Sequence, residues 1–112
     1  MSFVFPQKWI APAIAAAALQ FGPPLNSSQD AHVQVKYRNL PGEALGGYRY
    51  WDTILIDRKP RREWPKWRAQ CVLVHEYGHL AGEGHAKRRT SIMHRLLVRR
   101  TCDRWRRTHG LS

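Results

Sequence analysis

The sequence predicts a single α+β domain in which helices flank a short β region. Three observations indicate this class: an alanine-rich segment at 7–20, an alternation of apolar and polar residues at 33–38, and an apolar stripe of helical spacing that begins at residue 66. The chain has 112 residues, which leaves no room for a second domain with a core of its own. We therefore expect residues 1–112 to form one domain around one core.

The first helix is predicted from about Gln7 to Gln20, because alanine favours helix and the Gly-Pro-Pro sequence at 22–24 ends it. Its apolar stretch, residues 9–21, is too short to span a bilayer, so no transmembrane segment is expected. Lys8 is the single positive charge before this stretch, which is weak evidence for a signal peptide, although the alanines would offer a cleavage site. An intracellular location is preferred, with secretion as the alternative.

Two β regions are expected after the first helix. Val33, Val35 and Tyr37 alternate with polar residues, which is the period of a half-buried strand. The segment from Tyr48 to Ile56 is rich in aromatic and β-branched residues. That segment is either one bent strand or two paired strands, and both readings stay open.

A second helix is predicted to begin at Lys66 and to end at Gly82. Five residues at spacings of three and four form an apolar stripe along one face of this helix: Trp67, Cys71, Val74, Gly78 and Ala81. Residues 88–97 are expected to form a loop and a tight turn. Thr101 is expected to cap a last helix that runs to about Thr108.

The chain is strongly basic. It has 19 Lys and Arg against 8 Asp and Glu, a net charge of +11, and nine of these cations lie from Lys87 to Arg107. Such a positive field attracts nucleic acid, anionic surfaces or acidic substrates. A solvated basic face without a partner is the alternative.

Two cysteines, Cys71 and Cys102, are too few for a disulfide framework or a cysteine-based zinc site. One bridge and two free thiols are both compatible with the sequence. Because Cys71 falls at an apolar helical position, a buried free thiol is the preferred expectation.

The segment His75-Glu-Tyr-Gly-His79 places two imidazoles four residues apart. On a helix they lie about 40° apart around the axis and roughly 6 Å apart along it, so both rings can reach one metal ion. Glu76 lies between them, where a carboxylate can contact a metal-bound water without being a ligand. The alternative is that these histidines are ordinary surface residues on a basic helix.

A catalytic zinc ion uses three protein ligands and keeps a fourth position open. Here Gly82 follows His79 by three residues and His85 follows by three more, giving the string HEYGHLAGEGH. The glycine lets the helix stop and the chain turn back. We therefore predict Zn²⁺ held by His75, His79 and His85, with Glu76 as general base and Gly82 as the turn residue.

This string resembles the metzincin clan of zinc metallopeptidases, whose pattern is HExxHxxGxxH followed by a methionine-containing turn. The chain matches every fixed position, and Met93 lies eight residues after His85, a spacing similar to that of the matrixin family. The resemblance implies that Met93 underlies the metal site. It also implies a minimal metzincin-like architecture, with an N-terminal helix and a small twisted mixed sheet above the active-site helix and a C-terminal helix below.

The resemblance further implies how a substrate binds. The Tyr48–Asp57 region would supply an edge strand along which an extended peptide pairs, and Val72 with Leu96–Val98 would line a specificity pocket beside the zinc. The pocket suggests an apolar side chain just after the cleaved bond, and simple core packing is the alternative. Arg95 stands where some clan members carry a tyrosine ligand, so that role is expected to be absent. With eight acidic residues in the chain, no dedicated calcium site is expected.

These features predict a monomeric zinc-dependent endopeptidase that hydrolyses peptide or protein substrates through a zinc-bound water activated by Glu76. One alternative is a DNA-associated metallopeptidase that docks through the basic C-terminal half. Another is a non-catalytic zinc-stabilised binding module, which would have no need of a carboxylate at position 76. A thiol enzyme built on Cys71 lacks an activating neighbour. His32, His94 and His109 are expected to lie outside the ligand set.

Overall fold

A computed structural model describes residues 4–25, 33–49, 52–58 and 64–111 of the chain. Its elements follow in the order α1 (Gln7–Phe21), β1 (Gln34–Arg38), β2 (Gly46–Arg49), β3 (Thr53–Asp57), α2 (Lys66–Leu80) and α3 (Arg99–Thr108). These helices pack around a small mixed sheet and share one cluster of buried hydrophobic residues. The predicted α+β class is confirmed.

β3 is the central strand of the sheet. It pairs in parallel with β1 and antiparallel with β2, so the strand order is β1, β3, β2. Ile54 and Ile56 of β3 point to the same face of the sheet and are fully buried, as expected where that face packs on the core. The Tyr48 to Ile56 segment therefore contributes to two paired strands. We expected the Tyr48–Asp57 region to supply an edge strand. Its first part belongs to β2, which is an edge strand, whereas residues 53–57 form β3 at the centre of the sheet.

α2 is the most buried of the described helices. Eleven of its fifteen residues are buried, because α1, the sheet and α3 all pack against it. This burial exceeds the single apolar stripe predicted from the sequence and includes polar side chains. Gln70 is one of them: its amide donates to the Trp9 carbonyl oxygen over 3.0 Å and accepts from Arg106 Nε over 2.9 Å. Satisfied hydrogen bonds of this kind make a buried polar group tolerable.

α2 begins at Lys66 as predicted and ends at Leu80, two residues before the predicted end. Gly82 takes a φ of +98°, in the left-handed region that glycine adopts without strain. The start of α3 differs from the prediction. α3 begins two residues before Thr101, so the expected cap at that threonine is wrong. The Thr101 side chain is buried and its hydroxyl donates to the Arg89 carbonyl oxygen over 3.1 Å, which joins α3 to the preceding loop.

A disulfide joins Cys71 on α2 to Cys102 on α3, with their Cα atoms 5.5 Å apart. The expectation of a buried free thiol is therefore wrong, although both residues are buried in the core as that expectation required. Whether the two thiols can form a bridge depends on how α3 packs against α2, and the sequence pattern does not encode that packing. Disulfides persist in oxidising compartments, so the bridge favours the secreted alternative. Separately, no helix in the described part of the chain is long and apolar enough to cross a membrane.

Removal of the disulfide is expected to lower the free energy of unfolding by about 3–4 kcal/mol, because the bridge closes a loop with a sequence separation of 31. Urea unfolding of the oxidised chain, the reduced chain and a Cys71→Ala/Cys102→Ala variant measures this difference. The double variant is the control, since its midpoint is expected to be insensitive to reductant. An oxidised chain whose midpoint does not change on reduction would contradict the bridge.

Candidate metal centre

Three imidazole rings from two adjacent parts of the chain meet at one point. His75 and His79 lie one turn apart on α2, and His85 comes from the loop that follows it. The Nε2 atom of His79 is 3.2 Å from that of His75 and 3.2 Å from that of His85. The three ligand atoms all lie within 4.8 Å of one another. The structure thus brings together the three histidines that the sequence predicts.

The loop returns to α2 because of the backbone at Gly82. After the left-handed turn, the Glu83 amide donates to the Gly78 carbonyl oxygen over 2.8 Å. Leu25 packs closely above the turn, since a Cβ atom at position 82 would lie 2.9 Å from Leu25 Cδ1. The φ value is what favours glycine here, since the Leu25 side chain can shift, and the backbone turns at Gly82 as expected from the sequence.

Backbone carbonyls fix the tautomers of the two helical histidines. His75 Nδ1 lies 2.8 Å from the Ile92 carbonyl oxygen, and His79 Nδ1 lies 2.8 Å from that of Glu83. A carbonyl oxygen only accepts, so each Nδ1 carries the proton and donates. Each Nε2 is then left with a lone pair directed at the shared point, the arrangement that supports metal ligands in proteins.

The spacing of these nitrogens fits a metal ion. The lone pairs of His75 Nε2 and His79 Nε2, 3.2 Å apart, would repel each other unless a cation lay between them, and His85 Nε2 lies at the same distance from His79 Nε2. Tetrahedral ligands at about 2.1 Å from a zinc ion would be about 3.4 Å apart. Imidazole donors suit zinc, copper, nickel and iron ions. The chemistry of the donor set therefore supports a divalent metal of this group.

Burial keeps His75 and His79 in the neutral form that binds metals. The pKa of His75 is lowered to about 4, mainly by burial and further by the neighbouring histidines, although its hydrogen bond to Ile92 opposes the shift. Burial also lowers the pKa of His79, and its bond to Glu83 opposes that shift in the same way.

Glu76 lies beside the histidines and outside their cluster. Its side chain is buried, 7% exposed, and desolvation raises its pKa to about 7. No hydrogen bond or ion pair joins its carboxyl group to another residue in the described ranges. Because no fully buried side-chain oxygen of the described residues lacks a partner, the Glu76 carboxyl oxygens retain contact with the cavity that the residue lines. Desolvated carboxyl groups with shifted pKa values are enriched at functional sites.

Met93 packs beneath the helical turn that carries the two histidines. It is 4% exposed, and a Cβ atom at Gly78 would overlap its sulfur and lie 2.9 Å from its Cε atom. The Met93 carbonyl oxygen accepts from the Ala86 amide over 2.9 Å, next to His85. Met93 therefore supports both the helix and the loop from below.

An apolar cavity of about 540 Å³ opens beside the three histidines and Glu76. Its lining residues are Glu43, Ala44, Leu45, Gly46, Val72, His75, Glu76, His85, Arg95, Leu96, Leu97 and Val98. Val72 and Leu96–Val98, expected at a pocket beside the metal, thus line one cavity with His75 and His85. Leu96 and Val98 are 60% and 51% exposed, so they form the rim of the cavity more than its interior.

β2 runs directly over α2 at this site. A Cβ atom at Gly46 would lie 2.7 Å from Val72 Cγ1 and 3.2 Å from Glu76 Cγ, so the strand approaches as closely as glycine permits. Two residues on, Tyr48 stacks on the His79 ring with centroids 5.1 Å apart and an interplanar angle of 29°. Sequence reasoning missed both contacts. The signals available for them were a glycine inside a strand, which marks close approach, and the two-residue period that places 46 and 48 on one face.

The remaining histidines lie outside the cluster. His94 Nδ1 contacts the backbone of Leu96, and His109 stacks on Trp105 with centroids 3.9 Å apart. His32 lies outside the described residues, so its expected surface position stays a prediction. Trp105 is itself buried, and its indole donates to Gln20 over 2.7 Å.

No protein-family model matches this chain, and neither a curated protein nor a solved structure matches it. What the site can do is therefore argued from its own residues.

His85→Ala is expected to abolish tight binding of one zinc ion per chain, because it removes a ligand atom from the cluster. Metal analysis after dialysis gives the stoichiometry, and thermal unfolding gives an independent reading. A hundredfold excess of zinc over Kd stabilises the native chain by about 2.7 kcal/mol, and the variant should lose this gain. His94→Ala is the matched control and should retain it. Equal zinc affinity in both variants would contradict the ligand set.

Gly46→Ala is expected to lower the free energy of unfolding by about 1–3 kcal/mol, because the new methyl group meets Val72, Glu76 and the Leu55 carbonyl oxygen. Gly47→Ala is the matched control on the same strand, where the nearest atoms are 4.0 Å away. Urea unfolding of the two variants measures the difference. Equal midpoints would show that β2 does not press on α2.

Proposed function

We propose that this protein is a zinc-dependent endopeptidase with His75, His79 and His85 as metal ligands and Glu76 as general base. The observation that carries the proposal is the convergence of three Nε2 atoms on one point, with the Glu76 carboxyl group in the same cavity. The match of HEYGHLAGEGH and Met93 to the metzincin pattern supports the same reading.

Glu76 is suited to move a proton at neutral pH. When bound, a zinc ion would polarise the scissile carbonyl and lower the pKa of a coordinated water. Glu76 would accept the proton of that water and pass it to the leaving amine. Desolvation raises its pKa to about 7, and a nearby metal cation would lower it again, which favours the carboxylate form that accepts a proton.

The free edge of β2 provides a place for an extended peptide. Within the described residues β2 pairs with β3 alone, so its outer edge has backbone groups available for another strand. Tyr48 of this strand stacks on His79, which would place a peptide added at the edge next to the metal ligands. Peptide recognition by strand addition takes its affinity from main-chain hydrogen bonds. The adjoining cavity would take the side chain that follows the cleaved bond.

The structure favours this function over a DNA-docking peptidase. Binding of single-stranded nucleic acid combines basic residues with aromatic rings on which bases stack. Trp105, the tryptophan of the basic helix α3, is 7% exposed and stacks on His109 instead. Part of the positive charge is also neutralised, because Asp103 lies 3.4 Å from Arg99 and 3.6 Å from Arg106.

Glu76 also favours an enzyme over a zinc-stabilised binding module. A module needs the three ligands for folding, and a desolvated carboxyl group beside them, with its pKa raised to about 7, would contribute nothing to its stability. A general base next to a metal needs this placement.

Glu76→Gln is expected to keep one zinc ion per chain and to lower kcat/KM for peptide hydrolysis by about 10²–10⁴-fold, the usual contribution of a general base. Metal analysis and cleavage of a casein-derived peptide mixture, with and without chelator, measure the two properties. Asp103→Asn removes one carboxylate from α3 and serves as the control, with activity expected to persist. Unchanged turnover in Glu76→Gln would end the assignment of the base.

A further inference from the structure

Arg95 provides a cation at the cavity that the zinc chemistry does not use. It lines the same cavity as His75, Glu76 and His85, and its side chain is exposed. No hydrogen bond or ion pair joins its guanidinium group to another residue in the described parts of the chain. A guanidinium group without a partner at the rim of a cavity is available to a ligand, and its planar fork of donors matches a carboxylate.

The walls of the cavity complement this cation. Leu45, Val72 and Leu97 supply apolar surface to the cavity that Arg95 also lines. A side chain with an aliphatic stem and a terminal carboxylate would bury its stem against the walls and place its charge at the guanidinium group. Glutamate has this shape.

The charge of the whole chain also favours an anionic ligand, although Glu43 and Glu76 supply two carboxyl groups to the same cavity lining. The chain as a whole carries a net charge of +11. A field of this sign increases the rate at which acidic peptides arrive.

We infer that Arg95 is a specificity residue that selects substrates with glutamate as the residue bound in this cavity. The inference rests on the proposed peptidase function and adds the class of substrate, namely acidic peptides. It replaces the purely apolar preference that the Val72 and Leu96–Val98 walls alone would give.

The first test measures binding and needs no turnover. Zinc-loaded Glu76→Gln protein is titrated with two fluorescein-labelled peptides that differ only in Glu or Gln at the residue after the cleaved bond, both with amidated C-termini. The expected result is about fivefold tighter binding of the Glu peptide, a difference of about 1 kcal/mol, as for a partly exposed ion pair. The difference should shrink as salt is raised.

Variants then assign the preference to one side chain. In the same background, Arg95→Met should bring the Glu to Gln affinity ratio close to one, and Arg95→Glu should invert it. Arg100→Met is the matched control: it removes an exposed arginine from α3 that does not line the cavity, and the ratio should persist. A ratio that is unchanged by Arg95→Met, or lowered equally by Arg100→Met, would overturn the inference.

The second test separates this inference from the proposed function. Active protein is assayed for kcat/KM on the same two peptides and on a version with a free C-terminus directly after the glutamate. Cleavage of both amidated peptides at equal rates would overturn the Arg95 inference and leave the peptidase standing. A preference seen only with the free C-terminus would show that the terminal carboxylate is the ligand, which also overturns it. Tighter binding of the Glu peptide without cleavage of either peptide would contradict the peptidase function and leave Arg95 as a binding site for a carboxylate.

Discussion

The burial of α2 is the constraint on which the rest of the structure depends. The helix is covered by α1, the sheet and α3, so His75 and Glu76 are both removed from water. Desolvation moves their pKa values in opposite directions, to about 4 and about 7. One physical effect thus yields a neutral ligand and a carboxyl group able to exchange a proton near neutral pH. Such groups oppose folding, and the contacts around α2 must compensate for them.

The same contacts stabilise the chain and align the three histidines. Tyr77 on α2 donates to the Gly22 carbonyl oxygen over 2.8 Å, which fastens the end of α1 to the helix. The disulfide at Cys71 lies one turn before His75, and Met93 packs against Gly78 between His75 and the helix end. The described residues share one buried cluster, so each core contact near α2 also positions the histidines.

The sequence predicted the helices, the α+β class and the three converging histidines, because these depend on local periodicity and on the spacing of one segment. Gly82 could be predicted too, since a reversal after a helix requires a left-handed residue. The bridge between Cys71 and Cys102 could not, because it depends on how α3 lies on α2. The contacts of Gly46 and Tyr48 with α2 depend on strand register, which a glycine-rich strand such as β2 specifies weakly.

The open edge of β2 has a further consequence for how the protein behaves at high concentration. A strand edge that could accept a peptide could equally accept the same strand from another copy, and proteins limit this by keeping such edges short and charged. β2 has four residues, begins with two glycines and ends with Arg49. Glycine has low β propensity, and few residues provide few main-chain hydrogen bonds. These properties disfavour the growth of a continuous intermolecular sheet while leaving room for one short guest strand.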